Sequence, residues 1–310
     1  MTITKNTLKW WADTDEWGQV WGTREAEIAS VKLLDSSGKI VDSIDSGADL
    51  TVKVDFYVRE VIDSPHFGVA IFREDGLYCF GPNTVQDGFT IDSINKGAGW
   101  FSIKFKDIPL GSGRYKISAA IWDKKEILPY SYHAGGYEFT IRGHEKAHAL
   151  NMPHRWSGKP SSEGGSMEAD LGDFKKEIES TLIDISSVKT VNRFGIGRDV
   201  FKSREPMSLH IRLGLKRPID GYCLRIAIVR RDAILCHIAT TMLGGGRNIT
   251  LTYPCISLLG GDYALSAGIF DRSNLKPLMV RNGLCGFKIV CRNNYHGLAY
   301  IGHTWDWSLP

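Results

Sequence analysis

Aromatic and short polar side chains alternate with apolar ones along several strand-like segments in the first half of the chain. If the apolar residues face an interior, the alternate positions form an outer face with a floor of small residues and walls of aromatic rings. Sugar rings stack their C–H faces on aromatic rings and offer hydroxyls to short polar partners, so this mixture predicts a carbohydrate surface. The outer-face residues that we expect to bind are Tyr57, Phe72, Lys104, Ser118 and Trp122. The alternative is that these aromatic residues pack under a loop or against the other half of the chain.

A loop rich in tyrosine follows Trp122. The loop, KKEILPYSYHAGGYEF (124–139), comes directly after Asp123 and carries Tyr130 and Tyr132. Loops at the end of a β-sandwich commonly carry binding residues, and tyrosine offers a large contact area at a small cost in side-chain entropy. We therefore add Asp123, Tyr130 and Tyr132 to the predicted site, with cover for the core as the alternative role of these rings.

The matching positions in the second half of the chain are more basic and less aromatic. They include His210, Arg212 and Arg225. Such side chains hold a phosphate or an acidic sugar through charge-assisted hydrogen bonds, so they predict a second, anionic site. The alternative is a solvated face, or a surface that pairs with acidic residues of the first half.

The sequence offers little for catalysis. Glycoside hydrolysis needs two carboxyl groups across a cleft, but the acidic residues stand mainly in turns such as DSSG and REDG, where aspartate bonds the backbone. Neither a G-x-S-x-G nucleophile elbow nor a G-x-x-x-x-G-K-[ST] phosphate loop occurs. His144, His148 and His154 have no supporting carboxylate cluster for a metal. We expect a non-catalytic protein without a cofactor or a metal.

The elements that must position these side chains are β-strands. Period-2 alternation is clear in residues 50–58 and 115–122, and about seven such segments, separated by glycine and aspartate turns, fill each half of the chain. This pattern is typical of a sandwich. The predicted fold is therefore all-β, with two tandem immunoglobulin-like or jelly-roll antiparallel β-sandwiches.

An internal repeat sets the domain organisation. GRYKISAAIWD (113–123) returns as GDYALSAGIFD (261–271), a shift of 261 − 113 = 148, whereas EIASVKLLDSSG (27–38) returns as DISSVKTVNRFG (184–195), a shift of 184 − 27 = 157. The ends of the two copies match as well: the first copy ends in ALNMPHRW and the second in LAYIGHTW. We predict a first sandwich over residues 1–158, a flexible linker over 159–180, and a second, divergent sandwich over 181–310.

Charge and cysteine usage exclude several classes of protein. The formal net charge is +3 and the charges are interspersed, so nothing indicates nucleic acid. No apolar run approaches the length of a membrane span, and the start does not resemble a secretory leader, so we expect a soluble, unsecreted protein. The six cysteines show no C-x-x-C spacing and are predicted to be buried thiols of a reducing compartment.

Four tryptophans crowd the beginning of the chain. They are Trp10, Trp11, Trp17 and Trp21. Left uncovered, they would form a costly apolar patch, so we expect this segment to dock on its own sandwich or on a second subunit.

Three stretches of the first copy resemble one known family. They are VWGTREAEIASVKLLDSSG, FGVAIFREDGLYCFGPNT and IPLGSGRYKISAAIWD, and the similarity runs from about Trp21 to Trp156. The sequence resembles the C-terminal domain of the nucleotide-binding subunit of O-antigen polysaccharide ABC exporters, the Wzt type. The Gly-x-Asn-Thr turn of that family, here Gly81, Asn83 and Thr84, adds Asn83 and Thr84 to the expected glycan-binding residues. The second copy keeps only Thr241 of this turn.

The resemblance implies a cytoplasmic β-sandwich that binds the modified non-reducing end of a lipid-linked O-antigen or similar polysaccharide, so that finished chains are exported. It implies a location at the inner face of the bacterial inner membrane, with the polysaccharide and the ABC exporter or its ATPase domain as partners. It also implies a homodimer that exchanges a terminal strand, for which HRW and HTWDW are the analogous segments. The alternative is a structural or dimerisation module of an export complex that binds no glycan.

Overall fold

The protein is described here by a computed structural model. The described residues are 16–125, 127–143, 149–157, 174, 176–216, 221–243, 246–273, 275–291, 293 and 295–310. Trp10, Trp11, His144, His148 and most of the predicted linker lie outside them. Every named element of the described part is a β-strand, which confirms the all-β class.

The chain divides into two compact units. Unit 1 contains residues 1–143 and 292–310, and unit 2 contains residues 144–291. This division differs from the predicted segments at their ends, because each unit takes in a stretch that follows the other copy of the repeat. Each unit is a pair of antiparallel sheets with one additional parallel pairing among its described strands, β3 with β9 in unit 1 and β12 with β18 in unit 2.

Unit 1 has a six-stranded and a four-stranded sheet. The larger sheet has the order β1-β9-β8-β5-β6, with β3 also paired to β9, and the smaller sheet has the order β19-β7-β4-β2. The strands of unit 1 are β1 (Val20–Trp21), β2 (Ala26–Leu34), β3 (Ser43–Asp45), β4 (Leu50–Val58), β5 (His66–Arg73), β6 (Tyr78–Phe80), β7 (Gly97–Lys106), β8 (Gly113–Trp122), β9 (Pro129–Arg142) and β19 (Gly302–Ser308).

Unit 2 repeats this arrangement with a five-stranded and a four-stranded sheet. Their orders are β12-β18-β17-β14-β15 and β10-β16-β13-β11. The strands of unit 2 are β10 (Arg155–Ser157), β11 (Ile183–Val191), β12 (Val200–Lys202), β13 (Met207–Leu215), β14 (Tyr222–Arg230), β15 (Leu235–Met242), β16 (Asn248–Tyr253), β17 (Gly261–Asp271) and β18 (Pro277–Val290).

The two sheets of unit 1 pack through the apolar side of each alternating strand. Phe67 on β5 stacks on Phe101 of β7 with ring centroids 4.3 Å apart, and Phe56 on β4 lies 5.5 Å from Phe67. All three rings are buried. Burial of such rings removes a large apolar area from water, so this layer fixes which residues of each strand face outwards.

Equivalent residues of the two units serve the same local roles. Cys79 and Cys236, related by 236 − 79 = 157, are both buried, and each thiol donates to the carbonyl two residues earlier. Burial raises the pKa of both thiols to about 12, so both are neutral thiols at neutral pH. The antiparallel pairs β2–β4 and β11–β13 also carry a bulge at the same repeat position, before Ser30 and before Ser187.

The terminal strands are exchanged between the two copies of the repeat. We expected each copy to end with its own strand, but β19, the end of the chain, pairs along β7 in unit 1 from Gly302 opposite Lys106 to Ser308 opposite Trp100. The segment that ends the first copy belongs to unit 2, where β10 pairs with β16. The two terminal segments match each other in the repeat, so each can pair with the equivalent strand of either unit. The sequence therefore does not show which sheet receives which strand.

No helix among the described residues has the length and apolar character that spanning a membrane requires.

Candidate functional site

Three aromatic side chains meet on the outer face of the larger sheet of unit 1. Tyr132 on β9 has its ring centroid 5.2 Å from Trp21 of β1 and 6.1 Å from Trp122 at the end of β8. Tyr132 is buried, whereas the two tryptophans are half-buried. We call these three residues the aromatic face.

Small residues form the floor beside the aromatic face. Ala120, which lies opposite Tyr132 in the β8–β9 pair, and Ala134 are buried in the same cluster. Ser118 is also buried; its hydroxyl accepts a hydrogen bond of 2.8 Å from the Gly135 amide and hydrogen-bonds the Tyr132 hydroxyl. Burial raises the pKa of Tyr132, against the opposing effect of that bond, so its hydroxyl stays protonated. The floor is therefore rigid and hydrogen-bonded, which suits a preformed site.

Gly68 brings the predicted Asn83 close to the aromatic face. A Cβ atom built on Gly68 would lie 3.7 Å from the Asn83 Cβ and 4.0 Å from the Trp122 Nε1. Asn83 is half-buried, and its side-chain oxygen accepts a hydrogen bond of 2.8 Å from the Gln86 amide. Gly68 is buried, and its lack of a side chain lets Asn83 and Trp122 both lie within van der Waals distance of one point on β5.

The structure gathers part of the predicted site on this face. Ser118, Trp122, Tyr132 and Asn83 come together, and Tyr130 precedes Tyr132 by two residues on β9, half-buried.

Two predicted residues lie on the other sheet. Tyr57 is on β4 and Lys104 is on β7, so both project from the outer side of the four-stranded sheet, away from the aromatic face. The Lys104 ammonium lies 3.2 Å from the Asp49 carboxylate. Alternation identified these residues as outward-facing but did not distinguish the two outer sides of the sandwich.

Three further predicted residues are used by the fold. Phe72 is fully buried against Tyr78, with ring centroids 5.1 Å apart. Asp123 accepts hydrogen bonds from the amides of Ile127 and Leu128 and so closes the β8–β9 hairpin. Thr84 is fully buried, as Phe72 is, so neither of these two offers its side chain to a ligand.

Thr84→Val tests this structural role. The Thr84 hydroxyl accepts a 3.1 Å hydrogen bond from the Phe67 amide, so a valine of similar shape leaves a buried N–H group without that acceptor. We expect the free energy of unfolding to fall by about 1–3 kcal/mol, the usual cost of such a group. Urea denaturation followed by circular dichroism measures the change, and an unaltered midpoint would contradict the assignment.

Trp21 was not among the predicted binding residues. Its strand β1 pairs with β9, with Trp21 opposite Tyr132, which places the indole on the aromatic face. Trp17 lies against Gly135, whose backbone has φ +51° and where an added Cβ would lie only 2.5 Å from the Trp17 ring. The repeat could have indicated a role for this segment. The shift of 157 relates Trp17 to Phe174 and Trp21 to Ile178, so both positions are apolar in both copies.

The corresponding face of unit 2 is filled by its own side chains. Arg225 occupies the position of Gly68, since 225 − 68 = 157, and its guanidinium lies 4.9 Å from the ring of Phe270, the counterpart of Trp122. Phe174 packs on Phe270 with ring centroids 6.1 Å apart, and Ile178 bridges to Val280. Arg225 and Phe270 are fully buried. An arginine side chain thus occupies, on this face of unit 2, the position at which unit 1 has a glycine.

The predicted anionic set of unit 2 does not come together. Arg225 lies on β14 of the five-stranded sheet, while His210 and Arg212 lie on β13 of the four-stranded sheet. The buried position of Arg225 removes it from any surface site.

The described residues contain no group of three or more His, Cys, Asp or Glu side chains placed to hold a metal ion. Of the three histidines considered for a metal, His154 packs in unit 2 against His237 and Tyr253, at 5.3 and 5.9 Å.

Residues 18–152 match the family model of the Wzt C-terminal domain. The match covers less than half of the chain and contains the whole aromatic face together with Gly68 and Asn83. No curated protein shows a significant sequence match to the chain.

Several solved structures are similar to parts of the chain. The crystal structure of the C-terminal domain of Wzt is 16% identical, with a TM-score of 0.37, over 41% of this chain and 78% of that one. The CARDB domain of the PF1109 protein from Pyrococcus furiosus, solved with di-metal ions, is 15% identical, with a TM-score of 0.23, over 37% of this chain and 100% of that one. CopC from Methylosinus trichosporium OB3b is 16% identical, with a TM-score of 0.22, over 35% and 99%.

Proposed function

We propose that unit 1 is a non-catalytic carbohydrate-recognition module that binds the modified non-reducing end of an O-antigen-like polysaccharide for export by an ABC transporter. The observation that carries the proposal is the aromatic face, whose half-buried Trp122 lies beside Asn83, within the segment that matches the Wzt C-terminal domain. A sugar ring stacks on Trp122 or Trp21 while its hydroxyls meet Asn83 and Tyr130.

Unit 2 serves a different purpose in this proposal. It is a divergent copy of unit 1 whose sugar-binding face is closed by Arg225, Phe270 and Phe174, so each chain offers one glycan site. The closed face favours a structural role for unit 2, which corresponds to the scaffold alternative for that half of the chain only.

The proposed partners follow from the family match. They are the polysaccharide and the exporter or its ATPase domain, at the inner face of the bacterial inner membrane, with no cofactor and no nucleic acid. Homodimerisation stays a prediction; light scattering on the purified chain measures it. A lone site of this kind binds with a Kd of about 1 mM, so avidity through a membrane-held glycan or a second copy raises the effective strength.

The test is a calorimetric titration of the full chain with cognate polysaccharide, intact and stripped of its terminal modification. We expect binding of the intact chain end and at least about tenfold weaker binding of the stripped one, because the modification supplies contacts that the repeating sugar does not. Equal binding of both would contradict end recognition. Binding of neither, by a chain that is folded in circular dichroism, would favour the scaffold role for both units.

A further inference from the structure

A polar groove of about 360 Å³ lies on the outer side of the four-stranded sheet of unit 2. It forms where β11 bulges between Ile185 and Ser187 against β13. The described residues that line it are Ser186, Ser187, Arg212, Leu213, Gly214 and Arg247. Two guanidinium groups and two hydroxyls thus surround one opening, and no carboxylate is among these lining residues.

In unit 1 a carboxylate of the protein itself occupies the position that corresponds to this groove. At the same bulge, the Ser30 hydroxyl donates a 2.7 Å hydrogen bond to the Asp55 carboxylate, which also takes a 2.8 Å bond from the Lys32 ammonium. These donors lower the pKa of Asp55, so the group is an anion at neutral pH. The serine of the bulge is therefore a donor to an oxyanion in unit 1.

Unit 2 retains the serine and replaces the anion. Ser187 stands where unit 1 has Ser30, but Arg212 stands where it has Asp55, since 212 − 55 = 157. Gly214 replaces Tyr57 by the same shift, and a Cβ built on Gly214 would already lie 3.0 Å from the Ser186 hydroxyl oxygen. Gly214 therefore leaves room where the Tyr57 side chain stands in unit 1, and a guanidinium replaces the carboxylate that the Ser30 hydroxyl meets there.

One acidic side chain, Asp184, lies at the edge of the groove, opposite Gly214 in the β11–β13 pair, while the other charged side chains that the structure describes on this face are basic. Ser187 and Lys189 on β11 lie opposite Arg212 and His210 on β13, and Arg155 lies on β10 at the far edge. The nearest acidic side chain on β11, Asp184, is held by Arg281 at 3.1 Å. On the corresponding face of unit 1, Asp55 and Asp49 balance Lys32 and Lys104.

We propose that this groove is an oxyanion site that binds a phosphate group through the Arg212 and Arg247 guanidiniums and the hydroxyls of Ser186 and Ser187. Guanidinium groups match the geometry of phosphate with paired hydrogen bonds, and the hydroxyls replace the Ser30 contact to Asp55 with a contact to an external anion. The site is on unit 2 and is independent of the glycan site proposed for unit 1.

The test is calorimetric titration of the full chain with inorganic phosphate at low salt. We expect Arg212→Glu to weaken phosphate binding at least about tenfold, because a charge-assisted donor becomes a repelling carboxylate. Gly214→Tyr should weaken it as well without any change of net charge, because it restores the side chain that fills this position in unit 1. Arg155→Glu is the matched control: the same charge change on the same sheet, at the opposite edge, should leave the affinity within about twofold.

Sedimentation with phosphatidylcholine vesicles, with and without phosphatidylglycerol, identifies the source of the phosphate. Sedimentation with the anionic vesicles that Arg212→Glu abolishes assigns a lipid headgroup, and phosphate binding without sedimentation assigns a soluble or glycan-borne phosphate; both outcomes support the site. Equal losses in Arg212→Glu and Arg155→Glu would indicate general charge attraction and overturn the proposal. The proposal would also be overturned if Arg212→Glu bound phosphate as tightly as the wild-type chain, or if the wild-type chain bound no phosphate.

Discussion

Trp122→Ala is expected to abolish measurable binding of the polysaccharide end while leaving unit 1 folded. Trp122 is half-buried at the end of β8 and packs on the buried cluster of Ala120, Tyr132 and Ala134, so its loss uncovers this floor but removes none of the residues that form it. Removing the stacking surface from a site with a Kd of about 1 mM moves binding beyond calorimetric detection. Titration with the polysaccharide and a thermal melt of the same sample measure both parts of the expectation.

Trp100→Ala is the matched control for this variant. Trp100 is a half-buried tryptophan of the same unit, but it lies on β7 of the four-stranded sheet, where the Lys53 ammonium sits 4.8 Å from its ring centroid. We expect unchanged glycan binding, because that sheet faces away from the aromatic face. A loss with Trp100→Ala and retention with Trp122→Ala would move the site to the sheet that carries Tyr57 and Lys104.

The sequence predicted the strands well because their signal is local. Apolar and polar residues alternate along β4 and β8 because one side of each strand faces the interior. Phe56 on β4 is buried accordingly, as are Phe67 and Phe101 on the neighbouring strands β5 and β7. Alternation does not indicate which of the two sheets a strand joins. This is why Tyr57 and Lys104 were grouped with Trp122, and Arg225 with His210 and Arg212.

Single residues decide whether this face of each unit presents aromatic side chains for binding, and alternation does not identify which residues those are. Gly68 and Arg225 occupy equivalent positions, and both are interior to a strand. Only the structure shows that glycine lets Asn83 approach Trp122 and that the arginine packs against Phe270. The exchanged terminal strands are likewise invisible to sequence comparison, because the pairing edge of β7 and that of β16 accept equivalent strands.

Asp87 holds the exchanged end of the chain in unit 1. Its carboxylate accepts hydrogen bonds from the Tyr295 hydroxyl, from the His303 Nε2 at 2.9 Å and from the Trp305 Nε1 at 2.6 Å. The side chains of Asp87 and His303 are almost completely buried. Burial alone would raise the pKa of Asp87, but the bonds from these three partners outweigh it and lower the pKa below its ordinary value of 3.8.

Asp87→Ala is expected to release the terminal strand. It leaves three donors, of which the Trp305 indole is only half-buried, without their shared acceptor and should lower the free energy of unfolding of unit 1 by about 3 kcal/mol, as for other broken buried pairs. Hydrogen exchange resolves the effect by strand: amides of β7 that face β19 should lose protection, while those of β14 in unit 2 should not. Asp92→Ala, an exposed aspartate of the same loop, serves as the control and should leave both unchanged.

The pH dependence gives this contact a second signature. Because the pKa of Asp87 is lower in the folded protein, its contribution is complete above the unfolded value and is lost as the pH falls through the folded value. Protection of β7 should therefore fall as the pH is lowered through the unfolded and then the folded pKa of Asp87 in the wild-type chain, and more steeply than in Asp87→Ala, which has already lost the contribution. Identical pH profiles for the two proteins would mean that β19 is held by its backbone ladder and by the packing of Trp305 on Phe101, with no net contribution from the carboxylate.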